Sequence, residues 1–292
     1  MEDYSHLLSR MLFQVTGQEL SVTNVLMQSG GCINMSVKAV TDQGDFFVKW
    51  NELEYADMFE KEARGLRLLG KTDTVKVPEV LGYGQVEEKA FLVLEFLEKG
   101  RGYAEYWEDL GEGLAALHLH QQPEYGLDHA NYIGKLHQDN GKEASWLTFF
   151  KEHRLNHQLG LAIYNGFVDE GFVRDMKTFF TKLPNLLPDS PASLLHGDLW
   201  NGNIMSVSTG RAAFFDPAVY YGAREMDLAM TRLFGGFDQR FYEAYHAVYP
   251  IPGSFEALVD VYNLYPLMVH VNLFGPNSGY SGSVRRIISR YL

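Results

Sequence analysis

Apolar residues at the start of the chain recur on one helical face: Tyr4, Leu7, Leu8, Met11, Leu12 and Val15, with Gly17 ending the pattern. The pattern then turns to that of strands. LSVTNVLM, INMSVKAVT and FFVKW are rich in β-branched and aromatic residues, and the polar turn at 42–45 predicts that the last two pair as a hairpin. A helix is predicted over 55–69, with Phe59, Ala63, Leu66 and Leu69 on one side. Two more strands follow, VPEVLGYGQ and AFLVLEFL, and then a connector, EKGRGY, at 98–103. Beyond it the spacing is helical: Tyr106, Leu110, Leu114 and Leu117 mark one helix, WLTFFKEHRLNHQLGLAI another, and FVRDMKTFFTKL a third. One β island interrupts, LLHGDLWNGNIMSV with AAFFD, before helical spacing resumes to the C-terminus. This predicts an α+β, bilobal chain: a small antiparallel-sheet lobe over 1–97 and a larger, mainly helical lobe over 98–292. A ligand is expected in a cleft between lobes.

Composition narrows the function classes. The 292 residues are 46% apolar, enough for a large core. The single cysteine, Cys32, excludes an internal disulfide framework. No apolar run is long enough to span a membrane. The acidic start MED lacks the basic opening of a secretory signal, so a cytoplasmic protein without a membrane partner is expected. With 25 Lys and Arg against 37 Asp and Glu, the net charge of −12 argues against nucleic acid as a partner. An anionic ligand must therefore find locally placed cations. Composition says nothing about oligomeric state.

Gly65 to Thr72 matches the phosphate-loop pattern literally. That loop requires a strand before it and a helix after it, whereas here an amphipathic helix, MFEKEARGLRLL, precedes it. The match is set aside, and Gly70 reads as a helix C-cap.

The chemistry lies in His196-Gly-Asp198-Leu-Trp-Asn-Gly-Asn203, followed by Phe214-Phe-Asp216. The two segments are predicted to form a hairpin that brings Asp216 beside the loop. Phosphoryl transfer needs this set of groups: a carboxylate to take the acceptor proton, and an amide oxygen and second carboxylate to hold Mg²⁺ on the phosphates. Asp198 suits the base, and Asn203 and Asp216 the metal. Lys49, a lone cation in an apolar strand, needs a partner, and Glu62 on the next helix can reach it; such a pair grips phosphates in protein-kinase-like folds. Gly30 and Gly31 permit backbone amides to approach phosphate, and Cys32 beside them is a candidate thiolate. At the end of the last strand, LVLEFL, backbone groups of Glu95 and Leu97 are placed to hydrogen-bond an adenine edge. ATP and Mg²⁺ are thus the expected cofactors. Asp227 reads as an anchor for the catalytic loop, and His270 and Asn272 as lining of the acceptor site. His153 and His157 have metal-ligand spacing but no third ligand, and read as an exposed helix face.

These residues carry a family resemblance over nearly the whole chain. HGDLW-x-GN with DPA-x-x-Y-G, together with FFVKW, MFEKEARGLRLL, LVLEFL, SWLTFFKEHRL, LFGGF and SGSVRRI, resembles the fructosamine kinase (ketosamine-3-kinase) family. That family is similar to aminoglycoside phosphotransferases and more distantly to protein kinases. The resemblance implies phosphorylation of the sugar 3-hydroxyl of ketosamines, giving an unstable product that releases its amine, a deglycation. It implies Asp198 as proton acceptor, Asn203 and Asp216 as Mg²⁺ ligands, Lys49 with Glu62 on the phosphates, Glu95 to Glu98 as adenine hinge, and Trp200 as a sugar platform. The partner is then a small ketosamine or glycated amine. Tyr132 departs from the smaller polar residue expected before Ile133. Two rivals stay open: a kinase for an aminoglycoside or choline-like amine, and a catalytically dead nucleotide-binding module.

Overall fold

The computed structural model describes residues 4–28 and 34–292; the expected nucleotide-loop residues Gly30, Gly31 and Cys32 lie outside the described residues. The chain divides into two compact units, Met1–Leu110 with Gly202–Pro217, and Gly111–Asn201 with Ala218–Leu292.

The first unit is built on five antiparallel strands, β1 (Val22–Met27), β2 (Met35–Thr41), β3 (Gly44–Glu52), β4 (Val80–Val86) and β5 (Lys89–Glu95), in the order β1-β2-β3-β5-β4. Strand alternation sorts side chains onto two faces. Val37, Ala39, Val48, Trp50, Phe91 and Val93 form one face, and Leu8, Met11 and Leu12 of helix α1 (Ser5–Thr16) pack on it. These three side chains are fully buried, each contributing roughly 1.5–3 kcal/mol of apolar transfer. Gly17 ends α1 in the left-handed region, its N–H bonding Phe13 O at 2.8 Å. Helix α2 (Ala56–Gly70) packs on β4 and β5. The helix runs through Gly65 and Gly70, so no phosphate loop exists there. Gly70 is its last residue, and Lys71, in right-handed conformation, occupies the cap position expected for Gly70.

In the second unit come α3 (its residues from Gly111, in the helix Tyr106–His118), the short strand β6 (Gln121–Gln122), and a hairpin of β7 (Asn131–Ile133) and β8 (Leu136–Gln138). The helix expected over 146–163 is present, with its hydrogen bonding widened to π type in its middle. α4 (Trp146–Phe149) passes through a π-helical stretch, Phe150–Asn156, into α5 (His157–Tyr164). The π stretch carries Arg154, which is fully buried. Its guanidinium donates to Asp139 O and Asn140 Oδ1 and lies over the ring of Tyr220, 4.0 Å from its centroid. A buried cation needs such acceptors and π faces, and a π-bulge is a common device at sites of this kind.

Helices α6 (Glu170–Phe180) and α7 (Leu183–Leu186) follow, then β9 (Ala192–Leu195). The hairpin of β10 (Ile204–Ser206) and β11 (Ala212–Phe214) belongs to the first unit, joined by bridges of Lys76 with Ala213 and Lys99 with Val207. In the second unit, β12 (Tyr220–Gly222) pairs with β9, which also pairs with β6. Helices α8 (Glu225–Leu233), α9 (Gln239–Val248), α10 (Phe255–Tyr262), α11 (Leu264–Phe274) and α12 (Tyr280–Ile288) complete it. No helix of the described residues is long and apolar enough to cross a membrane.

Candidate active site

In the first unit the period of two places Lys49 on the face opposite Val48 and Trp50. Its Nζ donates to Glu62 Oε1 of α2 at 2.9 Å and to Asp216 Oδ1. Burial alone would lower the Lys49 pKa, but the carboxylates of Asp216 and Glu62 outweigh it and hold the pKa above its ordinary value. Lys49 is therefore a fixed positive charge. Burial raises Glu62, while Lys49 pulls it back.

Asp216 follows β11 with φ +47°, in the left-handed region that Asp tolerates better than most residues. Its carboxylate thus lies just past a strand end, on a buried lysine. Phe215 N–H donates to Asn203 O at 2.9 Å, so the β10–β11 ladder extends to the backbone of Asn203 and to the residue before Asp216. Asn203 is buried, while the Asp216 side chain remains partly open. An amide oxygen and a carboxylate are the hard donors that Mg²⁺ takes when phosphates and water complete its shell. Among the described residues no group of three or more His, Cys, Asp or Glu forms a metal cage.

The expected adenine hinge lies at and just past the end of β5. Glu95 N–H donates to Glu79 O at 2.8 Å, its carboxylate binds Lys76 Nζ at 2.6 Å, and Glu98 O accepts from Ser208 N. Glu95 and Glu98 are thus engaged within the unit. Phe96 and Leu97 have no backbone hydrogen bond among the described residues, which leaves their N–H and C=O groups for a ligand edge. The Lys38 ammonium lies over the Phe96 ring at 4.3 Å.

In the second unit, the turn before Asp198 is held by Asp227. One carboxylate oxygen accepts from His196 N–H at 2.7 Å and the other from Gly197 N–H at 2.9 Å. Fully buried His118 donates from Nε2 to Asp227 at 3.2 Å and receives the Tyr245 hydroxyl at Nδ1, 2.8 Å away. His118 therefore braces this anchor. Gly197 has φ +83°, and a Cβ there would stand 2.0 Å from Ala218 O, so only glycine fits. Ala218 N–H in turn donates to His196 O at 2.9 Å, and Asp198 N–H to His196 Nδ1 at 3.2 Å. Asp227→Asn exchanges one acceptor oxygen for an NH₂ and strands a buried backbone donor. It is expected to cost about 1–3 kcal/mol in stability. Thermal denaturation checks this, and an unchanged midpoint would remove the anchoring role.

Behind the loop, Tyr265 donates to Gln138 Oε1 at 2.6 Å, and Gln138 Nε2 donates to Ala218 O at 3.1 Å. Burial pushes the Tyr265 hydroxyl pKa up against the pull of Arg154, with Tyr220 and Asp198 adding to the rise, so it stays a donor. The hairpin β7–β8 thus supports the same segment, a role no sequence motif announced.

Trp200 is 36% exposed, and its ring meets Phe234 edge-on at 5.9 Å. His270 lies 5.0 Å from Phe234, within the same aromatic group. Asn272 is a different case. It is buried and donates to Gln158 O and Oε1 at 2.9 and 2.8 Å, tying α11 to α5. The expectation that it lines the acceptor site is corrected: next to an accessible His270, the residue two positions on falls on the packed face of the helix. His153 is also not on an open helix face, since its Nδ1 meets Asp139 at 2.7 Å and its Nε2 meets Glu143 at 3.3 Å.

A sequence model of the family described as fructosamine kinase matches residues 4–292. A Synechocystis protein assigned as a ketoamine kinase is 39% identical over 289 residues, covering 98% of this chain and 96% of its own. The crystal structure of a Haemophilus somnus protein assigned as a fructosamine-3-kinase superposes with TM-score 0.87 at 30% identity, covering 98% of this chain and 96% of that one. A thermostable mutant of an aminoglycoside phosphotransferase superposes with TM-score 0.62 at 13% identity, over 97% and 99% of the two chains, and shares the fold.

Proposed function

The chain belongs to the fructosamine kinase family, and from that membership we propose that it transfers the γ-phosphoryl group of ATP to the sugar 3-hydroxyl of ketosamines. The observation that carries this reading is Lys49, a buried, permanently charged lysine bridging Glu62 and Asp216. A cation fixed between two carboxylates is suited to grip phosphates.

Asp198 takes the proton of the acceptor hydroxyl as its oxygen attacks the γ-phosphorus. The bond from that phosphorus to the ADP oxygen breaks, leaving ADP and the ketosamine 3-phosphate. Lys49, oriented by Glu62, binds the α- and β-phosphates, and the backbone of Phe96 and Leu97 meets the adenine edge. Asn203 and Asp216 would hold Mg²⁺, which when bound neutralises charge on the phosphates. Asp227 keeps Asp198 in place through the bonds at His196 and Gly197.

Release of ADP, measured with ribulosamines, erythrulosamines and fructosamines beside aminoglycosides and choline, tests the acceptor class. NMR of the product gives the position phosphorylated. Transfer to another hydroxyl, or preference for an aminoglycoside over every ketosamine, would overturn the reading. Trp200→Ala is expected to cost roughly 1–3 kcal/mol in kcat/KM for the ketosamine, because a ring packed on the sugar is lost. ATP affinity should hold. An equal loss in both would deny Trp200 the acceptor side.

A further inference from the structure

Trp200 is the first ring of a continuous aromatic surface. Phe234 touches it edge-on, His270 lies 5.0 Å beyond, and Phe274 and Tyr280 flank His270 at 5.5 and 4.8 Å. Phe274 is 54% exposed, so the far end of this surface is open to a ligand, and it is the contiguity of the rings that marks it. The near end of this surface is tied to the catalytic loop. Asn201 Nδ2, next to Trp200, donates to Gly236 O at 3.0 Å, two residues past Phe234. His270 donates from Nδ1 to Pro266 O at 2.6 Å, so Nε2 is left as an acceptor, and it has no partner among the described residues. Burial lowers the His270 pKa, which keeps that acceptor unprotonated near neutral pH.

A ketosamine has a second half besides its sugar. Its amine nitrogen stands only a few bonds from the 3-hydroxyl, is normally protonated, and carries an N-substituent. With the hydroxyl at Asp198 and the sugar on Trp200, two residues along the same loop, the substituent leads away from both. The surface continuous with Trp200 offers what that half requires: π faces for an ammonium, apolar area for hydrocarbon, and a neutral ring nitrogen to receive an N–H.

We propose that Phe234, His270, Phe274 and Tyr280 form a subsite for the amine side of the acceptor, selecting ketosamines with apolar or aromatic N-substituents. The subsite rests on the ketosamine reading of the preceding section. It makes the amine, and not only the sugar, a determinant of specificity.

Two substrates that share a sugar and differ at nitrogen test this, N-methyl- and N-benzyl-ribulosamine. The unmodified chain should favour the benzyl compound in kcat/KM by at least about fivefold, the factor that roughly 1 kcal/mol of ring contact supplies. Phe274→Ala and Tyr280→Leu should each narrow that ratio, while Tyr280→Phe, which keeps the ring, should preserve it. Because the readout is a ratio within one protein sample, partial misfolding of a variant cancels. A ratio near one in the unmodified chain, or one that neither substitution narrows, would overturn the subsite. Turnover of the methyl compound would still leave the ketosamine reading standing. No turnover of either compound would overturn that reading, and the subsite with it.

Discussion

Asp198→Asn is expected to lower kcat by roughly 10²–10⁴, the range for loss of a general base. The amide has the shape of the carboxylate but takes no proton at neutral pH. The loop should survive the change, because its turn is set by bonds from Asp227 to His196 and Gly197 and not by the Asp198 side chain. ATP affinity should therefore stay close to that of the unmodified chain. Steady-state kinetics beside nucleotide titration separates the two effects. Near-normal turnover would remove Asp198 from its proposed role.

The second large effect is expected at Asp216. Asp216→Asn keeps a side chain that tolerates φ +47°, so the backbone past β11 should hold. What changes is charge. A neutral amide is a poorer ligand for a hard cation, and Lys49 loses one of its two carboxylate partners. A loss on the order of 10²–10³ in kcat is expected, as when one preorganised electrostatic group is removed from a transition state. The distinguishing measurement is nucleotide affinity with and without Mg²⁺. In the unmodified chain Mg²⁺ should tighten binding, and in the variant that response should be lost. A variant that still responds normally would refute the assignment of Asp216 to the metal.

Much of the site was readable because it depends on short-range rules. Period-two alternation set Lys49 apart from Val48 and Trp50, and helical spacing put Glu62 within reach of it; the observed bond is the direct consequence. The predicted pairing of the two β-island segments is observed as the β10–β11 hairpin. Where the reading failed, the missing information was nonlocal. Asn272 and His270 look alike in sequence, two positions apart on one helix, yet Gln158 of another helix claims Asn272. The π stretch within the expected helix at 150–156 carries Arg154, whose acceptors lie at 139 and 140 and whose ring partner lies at 220.

The sequence by itself determined the α+β fold class, the strands of the first unit with the helix that follows them, the net charge of −12, and which residues are candidates for phosphoryl transfer. Each of these depends on residue type and on spacing within one strand, helix or turn, where backbone geometry fixes which side chains share a face. Only the tertiary structure decided which groups meet across long stretches of chain. It set Asp216 on Lys49, 167 residues away, placed His118 behind Asp227, and joined Trp200 to Phe234, His270 and Tyr280 as one surface. The physical reason is that such meetings follow from how whole elements pack, and packing is settled by the summed fit of many side chains rather than by any local pattern.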